Sequence, residues 1–382
     1  MTRIALVGCG FVADYYAVTL RTHPELEVAC IFDRKPERSK RFSEHYGYRA
    51  AESIDVILSD PDIGIVVNLT NPSEHHGINM ACLEAGKHVY CEKPLAMSFE
   101  EAKKAVDLSK SRGLILSGAP CTALSDTAQT IWKSIRQGLV GRVEMVYAEL
   151  DDGVIHREGC ENWKSMSGAP WPYADEFAVG CTLEHSGYYL TWLAMMFGPA
   201  REIHSYSTCL FPDKTPHGLN GKFCTGCAPD FSVANITYDE NIHVRLTCSI
   251  VTPSDHRFRI MGDKGRIEID DCWQNSLPIR YFDYSQPRRR FKSGKPYKIL
   301  PMARKIKTKR YYHKNYRTNI DYARGINELA EAIDNKRPCR LSSDFVLHIT
   351  ETALAIQHPL ENGLPYLVRT GFEPIEPMDW AK

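Results

Sequence analysis

The sequence predicts an α/β protein with two parts, residues 1–120 and 121–382. The first is expected to be built on a parallel sheet. The second is expected to be an α+β domain with an open, mostly antiparallel sheet. Three observations carry this. Strand-like and helix-like segments alternate through the first part, a rhythm that needs crossover helices between parallel strands. A glycine-rich turn joins the first strand to the first helix. From 201 to 283 strand follows strand, the habit of antiparallel sheets.

Taken in order, "RIALVG" is a short apolar run ending in glycine, the mark of a buried parallel strand. "ADYYAVTLRTH" has helical periodicity, and "LEVACIFD" is the second strand. "PERSKRFSEHYG" is a helix with Pro36 near its start and Gly47 just past its end. "GIVVNLT" is a strand, and "SEHHGINMACLEAG" is a helix opening on a serine cap and closing on a glycine. "HVYCEKP" stops at a proline. "SFEEAKKAVDLSKSRG" is a helix with Ser98 and Glu101 as a reciprocal capping pair, and "LILSGA" is the last strand of the set.

The second part opens with a helix, "SDTAQTIWKSIRQG", and a strand, "GRVEMVYAEL". A loop rich in Trp and Gly leads to a helix, "GCTLEHSGYYLTW". The runs "EIHSYSTCL", "FSVANITY", "HVRLTCSIV", "RFRIMG" and "RIEIDD" read as strands, and two helical patterns close the chain.

Bulk properties narrow the function. The chain has 382 residues, 43% hydrophobic and 25% charged, with zero formal net charge, so neither nucleic acid nor a membrane surface is implied as a partner. No apolar run is long enough to span a membrane, and the N-terminus enters a strand at once, without a leader pattern. A cytoplasmic location is expected. The 13 cysteines sit mostly in apolar segments, as buried thiols do in a reducing compartment. Cys224 and Cys227 form a lone CxxC without a second close pair, so no metal site is expected. Residues 288–317 are strongly basic and interleaved with aromatics. A solvated arm is the plain reading, and contact with a phosphorylated substrate or nucleic acid the sharper one.

"VGCGFVA" supplies Gly8, Gly10 and Ala13 between strand and helix. Gly8 permits the tight turn, Gly10 lets backbone approach a pyrophosphate, and Ala13 allows close helix–strand packing. Phe11 and Val12 then open a helix whose free N–H groups suit phosphate. The second strand ends in Asp33, about 20 residues on, where a carboxylate can bind ribose hydroxyls. The context is that of a Rossmann dinucleotide site. Asp33 favours NAD, while Arg34 beside it leaves NADP open.

Glu92 and Lys93 fall at the carboxyl end of a parallel strand, where open α/β sheets bind ligands. Together with "NLTNPSEHH", "LEAGKHVYCEKPLA", "GLVGRVEMVYAEL" and "HRFRIMGDKGRIEIDD", these residues resemble the Gfo/Idh/MocA oxidoreductases over nearly the whole chain. The resemblance implies NAD(P)-dependent hydride transfer on a sugar, cyclitol or related polyol, and a homodimer or homotetramer joined through the open sheet. It implies cofactor contacts at Thr70, Asn71, Pro72, His75, Glu92 and Lys93, with Lys93 catalytic. The family carries Asp-x-Gly-x-His on a helix, and the glycine of "HSGYY" places His185 in the aspartate slot and Tyr189 in the histidine slot. Tyrosine has precedent there in the branch that resembles glucose–fructose oxidoreductase and dihydrodiol dehydrogenase.

On this reading Tyr189 exchanges the hydroxyl proton, Lys93 orients the oxygen and lowers the phenol's pKa, and His185 tunes or relays. Trp163, Lys164 and Trp171 are expected to join Lys93, His185 and Tyr189 in holding substrate, since flat rings suit the apolar faces of a pyranose or cyclitol. A phosphorylated or nucleotide-linked sugar stays open. Two other functions fit the same motifs: a glycosidase using tightly held NAD in a transient redox cycle, and a non-catalytic dinucleotide-binding regulator.

Overall fold

The computed structural model describes residues 1–216, 228–284, 297–299, 311–313 and 316–382. Its first sheet has five parallel strands, β1 (Thr2–Val7), β2 (Leu26–Phe32), β3 (Ile65–Asn68), β4 (His88–Cys91) and β5 (Leu116–Gly118), in the order β2-β1-β3-β4-β5. Helices α1 (Phe11–Leu20), α2 (Pro36–Tyr46), α3 (Ile54–Ser59), α4 (His75–Glu84) and α5 (Phe99–Ser111) connect them. Ile4 to Val7 and Ile65 to Asn68 are buried without alternation, as a sheet covered on both faces requires. Strand order reverses between β1 and β3, and that crevice is where such sheets bind ligands.

The caps fall largely as expected. Gly47 ends α2 in the left-handed conformation, and Ser98 Oγ accepts from Glu101 N at 3.3 Å. The start of α4 differs: Pro72 begins a short 3-10 turn, so Glu74 rather than Ser73 takes the cap position before His75.

The second part holds α6 (Asp126–Arg136), β6 (Val143–Val154), α7 (Tyr173–Val179), α8 (Cys181–His185) and α9 (Gly187–Phe197). There follow β7 (Glu202–Thr208), β8 (Phe231–Thr237), β9 (His243–Ser249), β10 (Val251–Asp255), β11 (Phe258–Gly262), β12 (Gly265–Ile269), β13 (Ile279–Asp283) and β14 (Tyr297–Ile299). A small hairpin, β15 (Tyr311–His313) with β16 (Tyr316–Thr318), precedes α10 (Arg324–Asp334) and α11 (Ser343–Gln357), and β17 (Tyr366–Leu367) pairs with β7. The large sheet runs β14-β13-β12-β11-β6-β9-β8-β7-β17, antiparallel except where β6 meets β9. Long β6 also pairs, antiparallel, with β10.

The chain returns to the first domain at its end. Ser343 Oγ accepts from Leu116 N of β5 at 3.0 Å, and His23 meets Asp321 at 3.0 Å. No helix among the described residues is long and apolar enough to cross a membrane. Cys224 and Cys227, and most of 288–317, lie outside the described residues.

Candidate active site

A cavity of about 860 Å³ lies between the domains, at the carboxyl end of the parallel sheet. Gly8 has φ +102°, and a Cβ there would sit 2.4 Å from Leu69 O. Gly10 caps α1 and is different: a Cβ there would meet no protein atom within 4 Å. No side chain caps the helix, so its first N–H groups are left for a ligand. Gly10, Phe11 and Val12 line the cavity, while Ala13 is fully buried behind them. Asp33 Oδ2 accepts from Cys9 N and Oδ1 from Lys35 N, each at 2.9 Å. The carboxylate is thereby locked to the glycine turn. Arg34 is exposed and pairs with Glu74 at 3.1 Å. An unfilled cradle at Gly10 beside an uncapped helix start fits a dinucleotide pyrophosphate.

The two glycines should therefore fail differently. Gly8→Ala should cost about 2–4 kcal/mol of stability through strain and backbone clash, seen as a lowered urea midpoint. Gly10→Val should leave that midpoint nearly unchanged and weaken dinucleotide binding by about tenfold or more, read by calorimetry, because its methyl groups enter the pyrophosphate's space. Equal behaviour of the two variants would contradict this geometry.

Thr70, Asn71 and Pro72 line the next stretch of wall. His75 does not. It is fully buried, with Nδ1 2.6 Å from Pro94 O and Nε2 2.9 Å from Thr70 O. Burial lowers its pKa. The expected cofactor contact is thus a brace tying the Thr70 loop to the turn after Lys93.

Glu92 and Lys93 both line the cavity. Glu92 accepts from Tyr16 Oη at 2.6 Å and from Lys93 N at 2.9 Å, which fixes the turn. The Lys93 ammonium pairs with the buried Glu184 carboxylate on α8. Burial alone would lower the Lys93 pKa, but Glu184, Glu176 and Glu92 outweigh it and the net shift is upward. Burial first, then Glu176, pushes Glu184 up to about 8 against the pull of Lys93.

The helix register corrects one expectation. Tyr189 is fully buried: its hydroxyl donates to His256 O, and its ring stacks on Phe258 at 5.0 Å. Tyr188 lines the cavity instead, its ring 5.7 Å from that of Trp273. Ser186 keeps helical angles, φ −57° and ψ −28°, between α8 and α9, so Glu184 and Tyr188 are i,i+4 neighbours on one face. The phenol on the cavity wall is therefore Tyr188, one residue before the expected Tyr189. Matching the glycine set the register, yet Gly187 faces Pro120, where a Cβ would lie 3.2 Å from its Cδ. The available signal was the paired offset of an acid and a phenol at 184 and 188. Neither phenol is made acidic. Burial raises Tyr188 well above its usual value, with Glu92 adding to it, and burial likewise raises Tyr189.

His185 does line the cavity. Its Nδ1 pairs with Asp152 on β6, a carboxylate that also binds His256 Nε2 at 2.6 Å; His256 Nδ1 in turn lies 3.3 Å from Asp271. Burial would lower the His256 pKa, but hydrogen bonds to Asp152 and Asp271 lift it to about 9. Asp152 and Trp273 were also not expected from the sequence, because chain positions this far apart carry no local signal of meeting.

Trp163, Lys164 and Trp171 line the cavity wall, with the two indoles 5.1 Å apart. Their loop is hung from α1. Buried Asp14 accepts from Ser165 Oγ at 2.6 Å, Ser167 N at 2.7 Å and Ser167 Oγ at 2.9 Å. Asn71 donates to Asp175 across the rim. Trp192 is a core residue, its indole donating to Thr122 Oγ1 at 3.2 Å.

The fold and this glycine cradle define a dinucleotide-dependent oxidoreductase. Residues 2–119 match the oxidoreductase family with NAD-binding Rossmann fold, and 128–268 match the GFO/IDH/MocA C-terminal domain. The chain belongs to the Gfo/Idh/MocA family, and its cofactor is NAD(P). It is 25% identical over 275 residues to trans-1,2-dihydrobenzene-1,2-diol dehydrogenase from Bos taurus, covering 71% of this chain and 75% of that protein. Among solved structures it is similar to an NAD-binding oxidoreductase from Klebsiella pneumoniae, with TM-score 0.78, 16% identity and coverage of 96% and 99% of the two chains. It also resembles an aldose–aldose oxidoreductase from Caulobacter crescentus complexed with glycerol, with TM-score 0.72, 19% identity and coverage of 96% and 99%.

Proposed function

We propose that this protein is a dehydrogenase or reductase acting on a hydroxyl-bearing carbon of a ring-shaped polyol: a sugar, cyclitol or dihydrodiol. The observation that carries the reading is that Lys93 and Tyr188 line the same cavity as Gly10. Bound dinucleotide would supply the hydride acceptor, or the donor in reverse. Lys93, held as an ammonium by its carboxylate neighbours, donates a hydrogen bond to the reacting oxygen. Tyr188 exchanges that oxygen's proton. Its raised pKa keeps the phenol protonated, the form that donates to a carbonyl during reduction. In oxidation it has to pass its own proton on as it takes the substrate's.

The wall chemistry supports a neutral, hydroxylated ring. Trp163, Trp171 and Trp273 offer flat apolar faces. Among the described residues of the cavity wall, carboxylates outnumber ammonium groups, which suits hydroxyl donors better than a phosphate. The names of the bovine and Caulobacter proteins, a diol dehydrogenase and an aldose oxidoreductase, point the same way. The locked Asp33 carboxylate favours NAD over NADP.

The test is to identify the dinucleotide carried by freshly purified protein. Nicotinamide absorbance is then followed with a panel of sugars, cyclitols and trans-1,2-dihydrobenzene-1,2-diol. Turnover of at least one polyol is expected. Dinucleotide binding with no redox change on any panel member would sink the proposal.

A further inference from the structure

A chain of ionisable groups runs from the cavity wall to a second opening. His185, on the cavity side, meets Asp152; Asp152 meets His256; His256 meets Asp271. His256 and Asp271 also line a solvent-open pocket of about 480 Å³ with Ser254, Asp255, Arg257 and Asp270. Asp152 is nearly fully buried and gives one oxygen to each imidazole. Both of its oxygens are thereby partnered, as burial of a carboxylate requires. Here it bridges two groups that can each accept a proton on one nitrogen and release one from the other.

We propose that His185, Asp152, His256 and Asp271 form a proton relay joining the reaction cavity to solvent at this outer pocket. The proposal rests on the hydride-transfer reading above and answers the question it leaves, where a protonated phenol sends its proton. His185 and Tyr188 are three residues apart on continuous helical backbone, hence neighbours on one face. They are also the two residues of 181–190 that are not buried. During oxidation the substrate O–H bond breaks and its proton joins Tyr188 Oη, whose own proton passes to the free nitrogen of His185. The Nδ1 proton of His185 moves to Asp152 Oδ2 while His256, held as an imidazolium by Asp152 and Asp271, gives its Nδ1 proton to Asp271 and solvent, so the buried Asp152–His256 pair ends neutral. Net, one O–H bond is lost in the cavity and one proton enters solvent. Reduction runs the path inward.

The groups facing the relay are few. His256 sees Asp152, Asp271 and the Trp273 ring, 4.4 Å away, while Tyr189 holds its carbonyl. Beyond it, Asp255 is paired to Arg257 and Asp270 to Arg280. At the inner end His185 has Trp273 beside it, 6.4 Å between centroids, and Lys93, Glu176 and Glu184 share its cavity. Asp152, His256 and Asp271 touch no reacting atom in this scheme; they act through His185.

The test compares wild type with His256→Gln and Asp271→Asn, using a polyol the wild type turns over. The expected result is a fall in kcat of about tenfold or more for His256→Gln with KM little changed, a displaced pH profile, and recovery of rate as imidazole buffer is raised. Asp271→Asn should show the same signs more weakly. Wild-type rates and pH profiles in both variants would overturn the relay. A second arm needs no turnover: in the free protein, the low-field imidazole N–H proton resonances of His185 and His256 should both shift in Asp152→Asn. If neither moves, the relay is wrong. A wild type without turnover whose resonances do respond would instead fault the hydride-transfer reading.

Discussion

Replacing Lys93 with Met is expected to lower kcat/KM by about a thousandfold while leaving the fold and dinucleotide binding nearly intact. Two losses combine. The reacting oxygen loses a charged donor where charge develops, a contribution of about 3–4 kcal/mol at comparable sites. Glu184 loses its counter-ion and takes up a proton, since burial and Glu176 already push its pKa up to about 8 against the pull of Lys93. That second change protects the fold, because a neutral acid buries at far lower cost than an unpaired carboxylate. Steady-state kinetics with titration calorimetry for the dinucleotide checks both halves. A variant with turnover near wild type would remove Lys93 from the chemistry; one that has lost the dinucleotide would make it a cofactor anchor.

The adjacent tyrosines give the second large contrast. Tyr188→Phe should reduce kcat by about a hundredfold or more, with thermal stability almost unchanged, because this ring borders the cavity. Tyr189→Phe should do the reverse. Its hydroxyl serves His256 O in the core, so losing it should cost about 1–3 kcal/mol, seen in the denaturant midpoint, with turnover largely kept. Parallel pH–rate profiles and urea titrations on both variants separate the cases. If Tyr189→Phe is the inactive one, the site has been built on the wrong side of the helix.

The sequence made the first domain legible because each signal there is local. The apolar runs of β1 and β3, Pro36 and Gly47 around α2, and the Gly8–Gly10 spacing each act within a few residues. The cofactor cradle was readable for the same reason. The substrate side was less so. One residue of slip on a helix turns a side chain by about 100°, enough to exchange the cavity-facing Tyr188 for the core-facing Tyr189. The local pattern could not settle this, since α9 is apolar almost all round and hides its own polar face. His75 misled for another reason: its motif places it beside the cofactor loop, but only the packing shows that both ring nitrogens are turned to backbone carbonyls. Asp152 and His256 lie 104 residues apart, and nothing short of the folded sheet brings them together.

Asp14 has a consequence for motion. A fully buried acid on the cofactor helix holds the tryptophan loop of the other domain, and Ser343 and Asp321 rivet the far side. Fastened at both ends, the two halves have little freedom to swing apart like jaws. Traffic in and out is then left to local yielding of the rim near Asn71 and Asp175. Amide exchange in the presence of dinucleotide should find the slow, release-limiting opening in that rim and not in a hinge.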